Sequence, residues 1–417
     1  MSSLKINKRK IFNDPVYGFI SISNDLIFDI IEHPYFQRLR RIKQLGLAHL
    51  VYPGALHTRF HHSLGAMHLM GRALSELKMK DNEISTRETT AAQIAMLLHD
   101  IGHGPYSHAL EHSLVNHVNH EEISHLFMQR LNTEMNGKLQ MALNIFQDNY
   151  PKHFLHRLVS GQFDMDRLDY LKRDSFFTGV SEGTINYERL LNMIQIADDA
   201  PAIEYKGIYS VEKFITARRI MYWQVYLHKT VLVAEYMAIN LLRRAKWLAL
   251  QGEKLFATPA FRYFLENDIS GDDFTNRPEV LELFSQLDDF DIYTSMKVWM
   301  NHPDRVLSHL SKALVNRHLF RIEMQNRAFD PEKEETIKEA AKRCYQLTDE
   351  ELPYFVFHDQ TSNYTYQPGT NKINILFKNG SVKDITQVSD QLDIHMLSKP
   401  TTKYFLCYPK DIGVPGS

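Results

Sequence analysis

Apolar positions recur at helical spacing along most of this chain, and strand-like clusters are confined to its two ends. The N-terminus predicts a short hairpin, because Ile11-Phe12 and Phe19-Ile20-Ser21-Ile22 flank the turn formers Asn13-Asp14-Pro15 and Gly18. Residues 25–32 mix apolar and acidic side chains at helical spacing, and Pro34 marks the next boundary. Pro53-Gly54 predicts a turn, and 63–77 a helix. Thr89-Thr90 offers a cap for a helix carrying Ala91 to His99. The 163–173 stretch predicts a helix with Asp166 and Tyr170 one turn apart on one face. A long helical region is expected over 211–250, and loops over 267–278 and 326–334. Past Pro353 the pattern changes: 354–357, 373–377 and 404–407 read as strands, with Asn379-Gly380 as a turn. The expected fold is mainly α. A helical domain over 1–345 opens with the hairpin and holds a core at about 50–180, and a small α+β lobe follows over 346–417.

Composition narrows the class without naming a function. The 417 residues are 44% hydrophobic and 24% charged, which is ordinary for a folded protein of one or two domains. A formal charge of -2 gives no general drive toward nucleic acid or an anionic membrane. No stretch reaches the roughly 20 apolar residues that span a bilayer, and the Met1-Ser2-Ser3-Leu4-Lys5 start lacks an apolar signal region. The two cysteines, Cys344 and Cys407, suggest neither a zinc site nor a disulfide framework, so a reducing, cytoplasmic setting is expected.

Candidate chemistry is concentrated in the first half. Of 21 histidines, 11 fall between His57 and His125. Taken singly, His57, His61, His68, His112, His117 and His125 read as solvated histidines on amphipathic helices. The stretch His99-Asp100-Ile101-Gly102-His103-Gly104 differs. An adjacent His-Asp pair with a further His four residues on can put several donors on one side of a helix end, and the glycines let the backbone turn there. Together with His62 and Asp166 the run offers imidazoles and carboxylates, a donor set suited to a divalent ion that activates water. Metal-dependent hydrolysis is the chemistry this argues for.

These motifs resemble the HD-domain phosphohydrolases. More narrowly the chain is similar to the deoxynucleoside triphosphate (dNTP) triphosphohydrolases that vertebrates carry fused to a SAM domain, without that domain. The resemblance runs from Lys10-Ile11-Phe12-Asn13-Asp14-Pro15 through Gln37-Arg38-Leu39-Arg40 and Lys43-Gln44-Leu45-Gly46. It continues with Arg59-Phe60-His61-His62-Ser63, the His99-Asp100 run, the 166–174 stretch and Tyr226-Leu227-His228-Lys229. It implies an HD-domain helical core and one divalent metal per site (Fe, Mn, Zn, Ni or Mg) on His62, His99, Asp100 and Asp166. Arg59 is implied to face the substrate phosphates, and His103, His108 and His120 to surround the scissile phosphate, with Glu121 beside His120. Glu111 stands where relatives carry Asp. Gln44, Leu45 and Asp174 match positions that hold the 3′-hydroxyl, and Tyr170 an aromatic that packs against the sugar and leaves little space for a 2′-hydroxyl. Arg167 replaces a lysine near the phosphates. Arg218, Tyr226 and Lys229 match further pocket positions, and Leu227 replaces a glutamine. Lys10, Asn13, Glu32, Gln37, Arg40, Arg189 and Lys206 resemble a regulatory site for GTP or a dNTP between subunits.

The expected activity is therefore hydrolysis of a dNTP to deoxynucleoside and inorganic triphosphate by a homo-oligomer, dimer or tetramer, with no membrane or nucleic-acid partner. Two other readings fit the same residues: an HD phosphomonoesterase or phosphodiesterase acting on another nucleotide, and a nucleotide-binding or sensing module without turnover.

Overall fold

The computed structural model describes residues 10–22, 24–106, 114–116, 118–363, 366, 372–390 and 401–413. It is mainly helical, as the apolar periodicity predicts. The hairpin pairs Lys10–Asp14 with Gly18–Ile22 in antiparallel register. Asn13 and Asp14 belong to the first strand rather than to the turn, because Asp14 is the residue whose carboxylate organises that turn: Oδ1 accepts from the Val16 and Tyr17 amides, each at 2.9 Å.

The helix expected over 63–77 is longer, Arg59–Met79, and it packs against Thr86–Leu98 and Met165–Thr178. These three helices carry the candidate metal ligands or end beside them. The cap of the second is not Thr89-Thr90. Ser85 and Glu88 close a reciprocal capping box one turn earlier, and Thr89 lies inside the helix. Glu88 also accepts from the Tyr150 hydroxyl and pairs with Lys152, both at 2.9 Å.

The long 211–250 region is two helices, Ile208–Met221 and Lys229–Leu250, joined by one π-helical turn over Tyr222–Tyr226. Apolar periodicity runs through that turn, and for this reason the break is not visible in the pattern. The expected 267–278 loop instead holds the strand Ile269–Ser270 and the helix Gly271–Asn276, which is started by a Ser270/Asp273 capping box.

The strand expected over 354–357 begins only at Phe357. Leu352–Phe355 is a helical turn with Pro353 in its first turn, where a missing N–H costs nothing. Strand Thr401–Tyr408 lies between Phe357–Asn363 and Arg321–Gln325 in an antiparallel sheet. Helix Pro331–Tyr345 covers this sheet around a small core of Ile337, Ala341, Val356 and Leu406. A second sheet joins Ile194–Ala197 and Ala200–Glu204, which the sequence pattern does not flag, to Asn374–Leu376 and Val382–Asp384. Segments on both sides of position 345 thus share each sheet. No helix among the described residues is long and apolar enough to cross a membrane.

Candidate active site

Three helices deliver their donors to one point. His62 projects from the first turn of Arg59–Met79, His99 caps the end of Thr86–Leu98 with Asp100 beside it, and Asp166 opens Met165–Thr178. His62 Nε2 lies 3.3 Å from His99 Nε2 and 3.1 Å from Asp166 Oδ1, and His99 Nε2 is 3.5 Å from the same oxygen. Asp100 Oδ1 is 3.3 Å from His99 Nε2, and its Oδ2 is 3.8 Å from His62 Nε2. Donors about 2.1 Å from a shared ion sit about 3.0–3.4 Å from one another in octahedral or tetrahedral geometry, so His62, His99 and Asp166 fit a divalent cation, with Asp100 at the edge of the cluster and grouped also with His103 and His120. Burial alone would lower the His62 pKa, yet hydrogen bonds to Asp166 and Asp169 raise it to about 10. Burial likewise opposes ionisation of Asp166, and His62 and His99 nevertheless hold its carboxyl well below the usual range. The point attracts positive charge.

The frame behind these donors was not picked out in the sequence. Asp169 Oδ2 accepts from His62 Nδ1 at 2.8 Å and leaves Nε2 facing His99 and Asp166. Arg173, one turn further on, grips both Asp169 oxygens at 2.8 and 3.0 Å. A Cβ on Gly65 would sit 2.1 Å from Arg173 Nη2 and from Asp169 Oδ1, so this pair occupies the space that a side chain at 65 would need. The loop after His99 is held in the same way. Ser124 Oγ donates to the His99 carbonyl at 2.8 Å and accepts from the Gly102 amide at 2.9 Å. A Cβ on Gly102 would come within 2.3 Å of the His120 carbonyl. Arg38 is fully buried and donates to the Ile101 carbonyl at 2.7 Å, and burial pushes its pKa down to about 9. The signal for Asp169 and Arg173 was their spacing of three and seven residues from Asp166, which places them on the inner face of one helix.

A cavity of about 630 Å³ opens onto the metal point and is lined by Arg59, Asp100, His103, His120, Asp166 and Arg167. Arg59 hydrogen-bonds Asp100, and the His103 and His120 rings stack at 3.8 Å between centroids. Burial, then the Arg59 charge, lowers His103 to about 3. Arg167 pairs with Asp164, the buried cap of its own helix, and its buried Nε meets no acceptor among the described residues. Gln44, Leu45, Tyr170, Asp174 and Tyr226 line the same cavity. Gln44 Oε1 is buried and meets no donor among the described residues. Asp174 accepts from the Tyr226 hydroxyl at 2.8 Å and from His57 Nε2 at 2.7 Å. His57 is therefore not a solvated histidine: it is 2% exposed and stacked on Phe177. Leu227, at the position where the resemblance implies a glutamine, also lines the cavity, as do Tyr222 and Glu235, which the sequence did not single out as pocket-forming.

Other expected residues lie apart. Arg218 donates to Gln162 at 3.1 Å and, like the exposed Lys229, does not line this cavity. Glu121 is exposed in the first turn of the helix His120–Glu134. His108, Glu111, His112 and His117 lie outside the described residues. Among the expected regulatory residues, Lys10 sits over the Phe28 ring, Arg40 over the Phe60 ring, and Gln37 accepts from Arg40 at 2.8 Å. Asn13 and Glu32 are exposed on the same hairpin and the following helix. Arg189 donates to the Lys206 carbonyl at 2.8 Å in a separate patch.

Comparison with known proteins agrees with this geometry. The HD domain model matches residues 59–146, and an HD associated region matches 185–258. A phosphohydrolase of known structure from Bacteroides thetaiotaomicron superposes with a TM-score of 0.93 and 53% identity, over 96% of this chain and 100% of that one. The protein YwfO of Bacillus subtilis is 32% identical over 99% of this chain and 95% of its own length. The deoxynucleoside triphosphate triphosphohydrolase SAMHD1 homolog of Dictyostelium discoideum is 32% identical over 57% of this chain and 49% of its own, so the match spans about half of that relative.

Proposed function

Because the chain belongs to the HD-domain phosphohydrolases, we propose that its reaction is hydrolysis of a dNTP to the deoxynucleoside and inorganic triphosphate. The observation that carries this reading is one cavity with a metal-type donor cluster and two arginines at one end, and in its wall a buried acceptor, Gln44 Oε1, that meets no donor among the described residues. A divalent cation held by His62, His99, Asp100 and Asp166 supplies Lewis acidity toward a phosphate oxygen and lowers the pKa of water. Arg59 and Arg167 bind the phosphate chain and neutralise charge that grows as water attacks the α-phosphorus. The new bond is water oxygen to α-phosphorus, the bond broken is α-phosphorus to the 5′ oxygen, and the leaving oxygen gains one proton as the attacking water loses one. His103 and His120, which line the cavity, are the proposed donors to it, with His108 as a third candidate. Gln44, Leu45 and Asp174 hold the 3′-hydroxyl, and the Tyr170 ring excludes a 2′-hydroxyl by contact. The chain is further proposed to assemble as a homo-oligomer and to bind GTP or a dNTP through Lys10, Asn13, Glu32, Gln37 and Arg40 of one subunit and Arg189 and Lys206 of another.

The test is product analysis with Mn, Fe or Mg, over all dNTPs and NTPs, with and without GTP. Deoxynucleoside plus triphosphate is expected. Orthophosphate or pyrophosphate release would replace this reading with another HD phosphohydrolase reaction.

A further inference from the structure

The frame behind His62 does not end at Arg173. Arg173 Nη1 donates to Asp14 Oδ2 at 2.7 Å, while its Nε and Nη2 hold Asp169. A continuous chain, Asp14–Arg173–Asp169–His62, thus joins the hairpin turn to a candidate metal ligand. Its side chains are closed to solvent: Asp14 is 5% exposed, and Arg173, Asp169 and His62 are 0% exposed. Each link is stereochemically specific. Asp14 spends its other oxygen on the Val16 and Tyr17 amides, so its position reports that of the hairpin turn. The Arg173 guanidinium also lies over the Tyr17 ring, 5.5 Å from its centroid, which ties the same turn to the same cation.

One guanidinium here serves two carboxylates. With Asp14 in place the positive charge is divided, and Asp169 keeps more of its negative charge for the His62 Nδ1 proton. Without Asp14 the guanidinium is held by Asp169 alone, and the carboxylate that orients His62 loses its tie to the hairpin. Outer carboxylates of this kind raise the basicity of a ligating imidazole and fix its ring.

We propose that Asp14 is a positioning residue for the metal centre, acting through Arg173 and Asp169 on the tilt of the His62 ring, so that metal affinity depends on where the hairpin sits. The proposal rests on the reading of His62, His99, Asp100 and Asp166 as metal ligands.

The experiment is Mn(II) titration of metal-stripped full-length protein against a competing chelator, on samples matched for folded fraction by far-UV circular dichroism. Visible absorption of the Co(II)-loaded protein reports ligand geometry. Asp14→Asn keeps an oxygen for the turn amides and removes the charge that faces Arg173. Its Mn(II) Kd is expected to rise about five- to thirtyfold, and the Co(II) bands to shift. Asp169→Asn is expected to weaken binding about 10–100-fold, and the double variant to be no weaker than Asp169→Asn alone, because Asp14 acts through Asp169. Should Asp14→Asn fail to fold, Arg173→Lys, which cannot bridge both carboxylates, carries the same expectation. Phe19→Ala, on the exposed face of the same hairpin, is expected to leave Kd unchanged. A wild-type Kd in Asp14→Asn, or full additivity with Asp169→Asn, overturns the proposal. His99→Ala separates the two claims: if it still binds Mn(II) like wild type, the ligand assignment itself is overturned, whereas loss there with no effect at Asp14 overturns only the relay.

Discussion

Two glycines on the Arg59–Met79 helix are expected to respond oppositely to the same substitution. In an exposed helix interior, Gly→Ala stabilises by about 0.8–1 kcal/mol through backbone propensity. At Gly65 the new Cβ falls 2.1 Å from both Arg173 Nη2 and Asp169 Oδ1, and real Cβ contacts essentially never fall below 3.0 Å, so the pair must retreat by roughly 0.9 Å. That retreat breaks a buried two-point ion pair. Removing one partner of such a pair costs about 3–5 kcal/mol. Here both partners remain and can re-form a poorer contact, so about 2–4 kcal/mol is the working figure, and propensity offsets about 1 of it. The net expectation for Gly65→Ala is a loss of about 1–3 kcal/mol. At Gly71 the Cβ meets Gln93 Nε2 at 2.5 Å, the far end of a flexible side chain that can swing away. Gly71→Ala is therefore expected to be neutral or to gain up to about 1 kcal/mol. Urea unfolding followed by far-UV circular dichroism measures both. Mn(II) affinity should also fall about 10–100-fold in Gly65→Ala, because His62 loses its fixed partner. Equal stability changes in the two variants, or a stable Gly65→Ala protein with wild-type metal affinity, would refute the account of the frame.

Further expectations follow from other contacts. Glu88 is held down to about 2: burial opposes its ionisation, and hydrogen bonds from Lys152 and the Ser85 backbone and side chain overcome that. Since the folded value lies below the ordinary glutamate value of about 4.5, its stabilisation is present above about pH 4.5 and is lost as pH falls toward 2. Glu88→Gln should accordingly be about 2 kcal/mol less stable than wild type at pH 7, with the gap closing in urea titrations across that window. Gln44→Ala should raise KM for a dNTP about fivefold, one hydrogen bond's worth, and leave KM unchanged for the 2′,3′-dideoxy analogue; equal effects on both would remove Gln44 from the 3′-hydroxyl. Tyr170→Ala should raise NTP turnover relative to dNTP at least about tenfold in steady-state assays, since it removes a steric barrier; an unchanged ratio assigns discrimination elsewhere.

The helical body was legible because the apolar stripes of helices such as Asp25–Glu32 and Met165–Thr178 follow their buried faces. The π-helical turn at Tyr222–Tyr226 was not, since adding one residue per turn leaves a continuous run of apolar and aromatic side chains. Helix Gly271–Asn276 hid in a polar stretch because its capping box, not its hydrophobicity, defines it. At the site, His62, His99, Asp100 and Asp166 could be named from residue type and motif. Asp169 and Arg173 share the helix and the inner face of Asp166, but Asp14 could not be joined to them, because an ion pair across 159 residues leaves no local trace. His57 was misjudged for the same reason: its partner Asp174 is 117 residues away. Single-residue chemistry is visible in the sequence, whereas pairing between distant segments appears only once they meet.

The separation in sequence between His62 and the carboxylate that orients it has a consequence for biosynthesis. His62 leaves the ribosome 107 residues before Asp169. At about 5–20 residues per second that interval is about 5–20 s, during which the emerging chain displays His62, and then the His99-Asp100 pair, without Asp166 or Asp169. The donors already translated are then a loose, unframed set, open to whichever ion binds histidines most strongly. Asp166 and Asp169 join those donors only when the Met165–Thr178 helix has been made and docked, so the framed donor cluster exists only after that late step of folding.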